Sequence, residues 1–469
     1  MGSNILDEIF FDEKIDYIGF SSNIEDRFKP LTFNRTLYIY DSSTCLYSED
    51  LGTIEEWIQS ILEDAVYENR MQNKTPFAPV KKEALSRACH YRVITGKLSP
   101  FNKFNGIPVN NGVIIFDGSG EATLTPYKPD MMLTHKLPVN YRPEADPEPI
   151  DEILRQWVDE GDVEILYQLA AQSLIQSLPG HEPNKKAYLI QGETNGGKST
   201  FLNLLQAVFG TDNISGVSLD ELSARFNKSS IAGKFLNVAD DIQSIGIKNV
   251  ENFKAITGRR SHEIEEKFKS RYVDEIHAVF CYTCNRPPII EGMAETDDAF
   301  WSRWYLVKFP RTFPVIPGWH DEHFTEANME GFFSRVVSIA AVMVRNGGKL
   351  LVPSDISDLK YRWQHEASPL IEFLEEQTDR GKDFTVGKDE LFDAYLQWVN
   401  DVEESEADKQ DRRRRSPQTK TALSQRLIRE GIEPDRVGRK NRIEVYKGIR
   451  LKLNCPYLSR KVTENAVIV

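Results

Sequence analysis

The run GETNGGKST, residues 192–200, sets Gly192, Gly197, Lys198 and Ser199 in the pattern Gly-x-x-x-x-Gly-Lys-Ser, with Thr200 beside the serine. Each residue type has a chemical reason to be there. Glycines let backbone N–H groups at a helix N-terminus approach an anion, lysine adds a point charge, and the hydroxyl can ligate Mg²⁺. Glu193, Thr194, Asn195 and Gly196 complete the loop. The chemistry this implies is binding of nucleotide β- and γ-phosphates, with ATP and Mg²⁺ as the expected ligands. Hydrolysis needs an acid at a strand end as well. The run GKFLNVADDIQS offers an apolar strand over 235–239 that ends in Asp240 and Asp241. Asp240 is assigned to the magnesium shell with Ser199, and Asp241 to water activation. The two roles can be exchanged, and an exposed Asp pair opening a turn is the alternative.

Two more residues extend the set. Asn285 ends a second expected strand, EIHAVFCYTCN, which runs from Glu275 to Asn285 before Pro287-Pro288 stops it. It can hold the attacking water or the γ-phosphate, and it reads equally as a turn residue. Arg303, in DDAFWSRWYLVKFP, reads either as a member of a structural ion pair or as a finger that enters a neighbouring subunit's site.

These residues need a strand, a loop and a helix in that order. KKAYLIQG is a short β-rich run into the glycines, and STFLNLLQAVFG puts Phe201, Leu202, Leu205, Val208 and Phe209 on one helical face before Gly210. Upstream, RTLYIYD reads as a strand, the run from Thr53 as a helix capped by Thr53, and NNGVIIFDGSGEATLTPY as a hairpin around Gly118-Ser119-Gly120. The Pro-rich LPVNYRPEADPEP marks a boundary, followed by two helices.

The chain has 469 residues, 40% apolar composition and five cysteines, which suits about three globular domains without a disulfide framework. Cys281 and Cys284 alone have the spacing of a metal half-site, and no second pair follows. The N-terminus is acidic and no run reaches about 18 apolar residues, so a soluble, cytoplasmic protein without a membrane partner is expected. The formal net charge of −13 hides a split: residues 411–460 hold 15 Lys or Arg against 5 Asp or Glu, and the remainder is acidic. A basic module on an acidic body points to nucleic acid at that end. There, KTALSQRLIREGIEPDRVGRKNRIEVYKGIRLK reads as a helix and two strands. Arg439, Lys440 and Arg442 lie near the strand connection, and Arg412, Arg413, Arg414 and Arg415 read as a loop gripping phosphates, with a merely solvated loop as the alternative.

Taken together, GETNGGKST, NVADD, CYTCN and FWSRW resemble the superfamily-three helicases, AAA+-like hexameric motors of viruses, phages and plasmids. The match is to the phage/plasmid primase-helicase C-terminal type, which includes poxvirus primase-helicases, and it covers roughly residues 50–455. The resemblance implies an α/β fold: an N-terminal α+β region over 1–145, a helical collar over 146–182, an AAA+-like P-loop ATPase core with a central parallel sheet over 183–350, and a winged-helix-like C-terminal domain over 351–469. It makes Lys198 and Ser199 the Walker A pair, Asp240 and Asp241 the Walker B acids, Asn285 the sensor and Arg303 the trans-acting finger.

It also places a pore hairpin at TGRRSHEIEEKFKSRYV, where Lys267, Phe268 and Lys269 would grip single-stranded DNA; a solvated charged ribbon is the other reading. The implied activity is ATP-driven, 3′ to 5′ unwinding of forked DNA by a homo-hexameric ring. No carboxylate cluster for primase chemistry is evident, Asp41 standing alone, so a separate primase or polymerase partner is implied. An origin-binding ATPase that loads without unwinding is one rival, and a monomeric P-loop small-molecule kinase another.

Overall fold

In a computed structural model, residues 5–11, 14–68, 77–88, 92–94, 98–178, 184–224, 227–240, 250–258, 261–265, 271–290, 295–401, 412–413, 416–437 and 443–457 are described. Among them, apolar runs rich in aromatic and β-branched residues form a five-stranded sheet: β1 (Ala187–Gly192), β2 (Ile214–Ser215), β3 (Leu236–Ala239), β4 (Val279–Cys284) and β5 (Trp304–Phe309). The strand order is β2-β3-β4-β1-β5. The pairs β2–β3, β3–β4 and β1–β5 are parallel, with Ala187 opposite Trp304 and Gly192 opposite Phe309.

Every residue of β1 and β4 is buried, as expected for a parallel sheet covered on both faces. β4 stands between β1 and β3, so the chain crosses over it on leaving β1. In open α/β sheets a crevice lies outside the carboxyl ends of strands at such a crossover. Buried Asn237 of β3 pins the edge: its side-chain oxygen accepts from Ser215 Oγ and Val217 N, both at 2.9 Å, and its Nδ2 donates to Val217 O at 2.8 Å.

The helix Lys198–Phe209 follows β1 and ends at Gly210, whose φ is 81°. It buries Phe201, Leu202, Leu204, Leu205, Val208 and Phe209 in the core shared by Glu148–Trp157, Glu160–Gln176 and Glu326–Arg345. The last of these is long and apolar enough by composition to cross a membrane, but Phe332, Phe333, Val336, Val337, Ala340 and Met343 are buried in this core. Asp151, 2% exposed, joins three helices: Tyr167 Oη donates to it at 2.5 Å and Arg335 pairs with it. Burial, then this bond, pushes the Tyr167 phenol far above its ordinary value.

Toward the N-terminus, strands Leu31–Phe33, Thr36–Asp41, Leu46–Glu49 and Val93–Ile94 form a second sheet. The helix Thr53–Tyr67 is present, but Gly52 holds the cap position and Thr53 is its first residue; Asp50 Oδ1 accepts from Thr53 N at 2.8 Å. The expected hairpin is formed by Gly112–Phe116 and Ala122–Thr125.

The chain divides into two compact units, Met1–Asp241 with Glu251–Thr283 and Arg303–Pro353, and Ile242–Val250 with Cys284–Ser302 and Ser354–Val469. In the second, helix Pro369–Gln377 leads to strand Thr378–Gly387, then helices Lys388–Asp401 and Lys420–Arg429, then strands Pro434–Val437 and Ile443–Leu451. The three strands form an antiparallel sheet with the last in the middle. Phe373, Tyr395, Trp398, Leu423, Leu427, Tyr446 and Ile449 fill their own core.

Candidate nucleotide site

β1 delivers the chain to a turn in which Gly196 N donates to Glu193 O at 3.1 Å, and the helix begins at Lys198. Asn195 and Gly197 adopt positive φ, 62° and 94°, which curls the backbone around the space in front of the helix N-terminus. Two glycines are dictated by contact. A Cβ on Gly192 would stand 2.5 Å from Phe309 O, and one on Gly197 would stand 3.0 Å from the Trp157 ring. Gly197→Ala, wrong in both space and φ, is expected to destabilise the protein by about 1–3 kcal/mol, read by chemical denaturation.

Lys198 lies low in the loop, 8% exposed, and its Nζ donates to Gly192 O at 2.6 Å and Glu193 O at 2.9 Å. The segment after β5 braces the loop from the other side. Phe313 N donates to Asn195 O at 3.0 Å, while Arg311 reaches Val158 O at 3.1 Å and Asp159 Oδ1 at 3.0 Å. Trp157, Arg311 and Phe313 were not singled out from sequence, since only the fold brings 157, 196 and 311 together.

Asp240 follows β3 at the exposed carboxyl end of the sheet. Ser199 Oγ donates to its Oδ2 at 2.9 Å across 41 residues, and Thr283 Oγ1 donates to its Oδ1. A hydroxyl and a carboxylate oxygen brought together in front of a glycine cradle suit Mg²⁺, a hard ion that takes one or two carboxylates plus substrate phosphates. Among the described residues no group of three or more His, Cys, Asp or Glu forms a metal cage of its own. Asp241 lies outside the described residues.

Cys281 and Cys284 are buried in β4. Three positions apart on a strand, they face opposite sides and cannot share a metal. Burial, then the Asp240 charge, pushes the Cys281 thiol well above its usual range. Asn285 is half-buried and directly follows the last residue of β4. The long strand expected over 275–285 is divided: Glu275 belongs to Tyr272–Glu275, which pairs antiparallel with Ser261–Ile264. These paired strands overlap the stretch expected to form a pore hairpin, with His262 and Ile264 buried; Lys267, Phe268 and Lys269 lie outside the described residues.

Arg303 sits at the opposite end of the sheet from the glycine loop. Its carbonyl accepts from Ala187 N at 2.6 Å, and its Nε donates to Thr257 Oγ1 at 3.0 Å. Between Ala187 and Gly192 the strand advances roughly 17 Å, at about 3.3 Å per residue. Arg303 therefore cannot reach the loop of its own chain.

The basic end needs one correction. Arg412, expected to grip phosphates, is 3% exposed, lies 4.4 Å over the Trp398 ring and pairs with Glu372 at 3.6 Å; stacking buries its flat guanidinium. Arg413 is exposed, with Nε on Asn400 Oδ1 at 2.7 Å. Arg414, Arg415, Arg439, Lys440 and Arg442 lie outside the described residues.

Residues 190–303 match the model of a family described as a family of unknown function, DUF5906. No curated protein matches the chain. Among solved structures the chain is similar to the apo structure of the NrS-1 C terminal region, residues 305–718, at 13% identity and a TM-score of 0.46, covering 92% of this chain and 98% of that one. It is also similar to the A form apo structure of the same region, at 13% identity and a TM-score of 0.43, covering 88% and 94%.

Proposed function

We propose that the chain hydrolyses ATP at the loop 192–200 facing Asp240, and that it does so as a homo-hexameric ring that unwinds DNA 3′ to 5′. The hydrogen bond from Ser199 to Asp240 carries this reading, because it joins the end of the phosphate-type loop to the acid at the tip of β3. Backbone N–H groups of residues 193–198 and the Lys198 ammonium would bind and orient the β- and γ-phosphates. Ser199 and Asp240 would hold magnesium, which supplies charge neutralisation on the phosphoryl oxygens. Asp241 would take the proton of the attacking water, with Asn285 holding that water in line. Arg303 of a neighbouring copy would neutralise charge that develops in the transition state. Lys267, Phe268 and Lys269, between the two strands in sequence, would move with the closing subunit and draw the strand.

We read the order helix, strand, helix, helix and two strands in the second unit as a winged helix, and we assign duplex contact to it. Arg439, Lys440 and Arg442 in the connection of its last two strands, with Arg413, would then meet phosphates. Replacing the first three by alanine is expected to flatten the slope of log affinity against log salt by about 2–3 units on duplex DNA, with ATPase activity retained. The whole reading is tested on purified protein with a tailed duplex. DNA-stimulated hydrolysis with strand displacement is expected. Stimulated hydrolysis without displacement would turn the reading to a loader, and full-rate turnover by a monomer indifferent to polynucleotide would overturn it.

A further inference from the structure

The parallel register that sets Ala239 opposite Tyr282 makes the next residues, Asp240 and Thr283, neighbours at the strand tips. They are 43 positions apart in sequence. Thr283 is 0% exposed, whereas Asp240 stands at the exposed edge. A buried hydroxyl requires an acceptor, and it has one in Asp240 Oδ1. The other oxygen of the same carboxylate, Oδ2, accepts from Ser199 at 2.9 Å. A carboxylate is planar, so fixing one oxygen fixes the direction of the second. An aspartate on an exposed strand end would otherwise turn about two side-chain bonds, and restricting it on metal binding would cost entropy.

We propose that Thr283 is the positioning residue of the metal site: its hydroxyl sets the rotation of the Asp240 carboxylate so that Oδ2 faces Ser199, and it thereby raises affinity for a divalent cation. This rests on the Mg²⁺–ATP reading of the loop and narrows it, since it gives Asp240 the metal and not the water. β3 and β4 pair in parallel register, and the Thr283 hydroxyl donates to the carboxylate at their tips.

The test titrates Mn²⁺ into the 469-residue chain saturated with a non-hydrolysable ATP analogue and follows free Mn²⁺ by electron paramagnetic resonance. Thr283→Val, equal in shape but without a donor, should weaken Mn²⁺ binding by about 10- to 100-fold, the usual effect of losing a hydrogen-bond partner of a metal-ligating carboxylate. Binding of the analogue in excess chelator should be unchanged. Thr283→Ser should restore native Mn²⁺ affinity, and Thr283→Cys, a poor donor, should behave as Thr283→Val does and replaces it as the test if that variant does not fold. Native Mn²⁺ affinity in the valine or cysteine protein would overturn the assignment, as would an equal loss of metal-free analogue binding, which marks a distorted pocket. If the native protein with analogue bound takes up no Mn²⁺, the Mg²⁺–ATP reading itself falls and the role of Thr283 falls with it.

Discussion

Lys198→Ala is expected to lower ATP turnover by at least about 10³-fold, the scale on which fixed charges act on a transferring phosphoryl group. The reason lies in where the ammonium is held. Its Nζ sits on the carbonyls of Gly192 and Glu193, at 2.6 and 2.9 Å, inside the curve of the loop it would serve. In the proposed reaction it would thus already stand beside the phosphates and need no large movement. Removing it takes away the charge and also two bonds that tie the loop together. Loss of activity must therefore be separated from loss of the loop. The separating measurement is thermal stability without nucleotide. A melting temperature close to native, with hydrolysis abolished, assigns the lysine to chemistry; a large fall in melting temperature assigns it to loop structure. Full activity in the alanine protein would remove the loop from the mechanism altogether.

Those parts of the site that a local pattern can encode were legible in the sequence. The strand, glycine loop and helix over 187–209 are contiguous, and apolar period and glycine position specify each of them. The same holds for Ser261–Ile264 with Tyr272–Glu275, and for Lys420–Arg429 with the two strands after it. Contacts that depend on strand order were not legible. Thr283 meets Asp240 only because β4 lies next to β3, and Trp157 meets Gly197 only because the helix Glu148–Trp157 ends against the loop. Strand Thr378–Gly387 carries exposed Arg380, Lys382 and Asp383 and has a register shift between Arg380 and Thr385, so it has no clean alternation to recognise. Arg412 was misassigned for a related reason. A run of arginines reads as a solvated surface, yet one of them finds an indole to stack on and a carboxylate to pair with. Composition cannot say which.

Arg303→Ala is expected to abolish hydrolysis by about 10³-fold or more while leaving ATP binding intact, the effect of losing an arginine finger. The strand register removes the simplest alternative, action within one chain, because Arg303 precedes β5 while the loop follows β1 at the other end of the same strand pair. What remains is a choice between a finger for a neighbouring copy and an anchor for the helix that carries Thr257. The two make different predictions. An anchor that acts through the bond to Thr257 Oγ1 predicts that Thr257→Val reproduces the loss of hydrolysis caused by Arg303→Ala. For a finger, Thr257→Val should be mild, and mixing should be informative. Combining Arg303→Ala with Lys198→Ala protein creates some junctions in which an intact loop faces an intact arginine, so part of the native ATPase rate should return. Failure to recover any activity, with subunit exchange verified by a labelled copy, would leave Arg303 as an anchor. The proposed ring would then lack the group assigned to couple hydrolysis in one subunit to the position of the next.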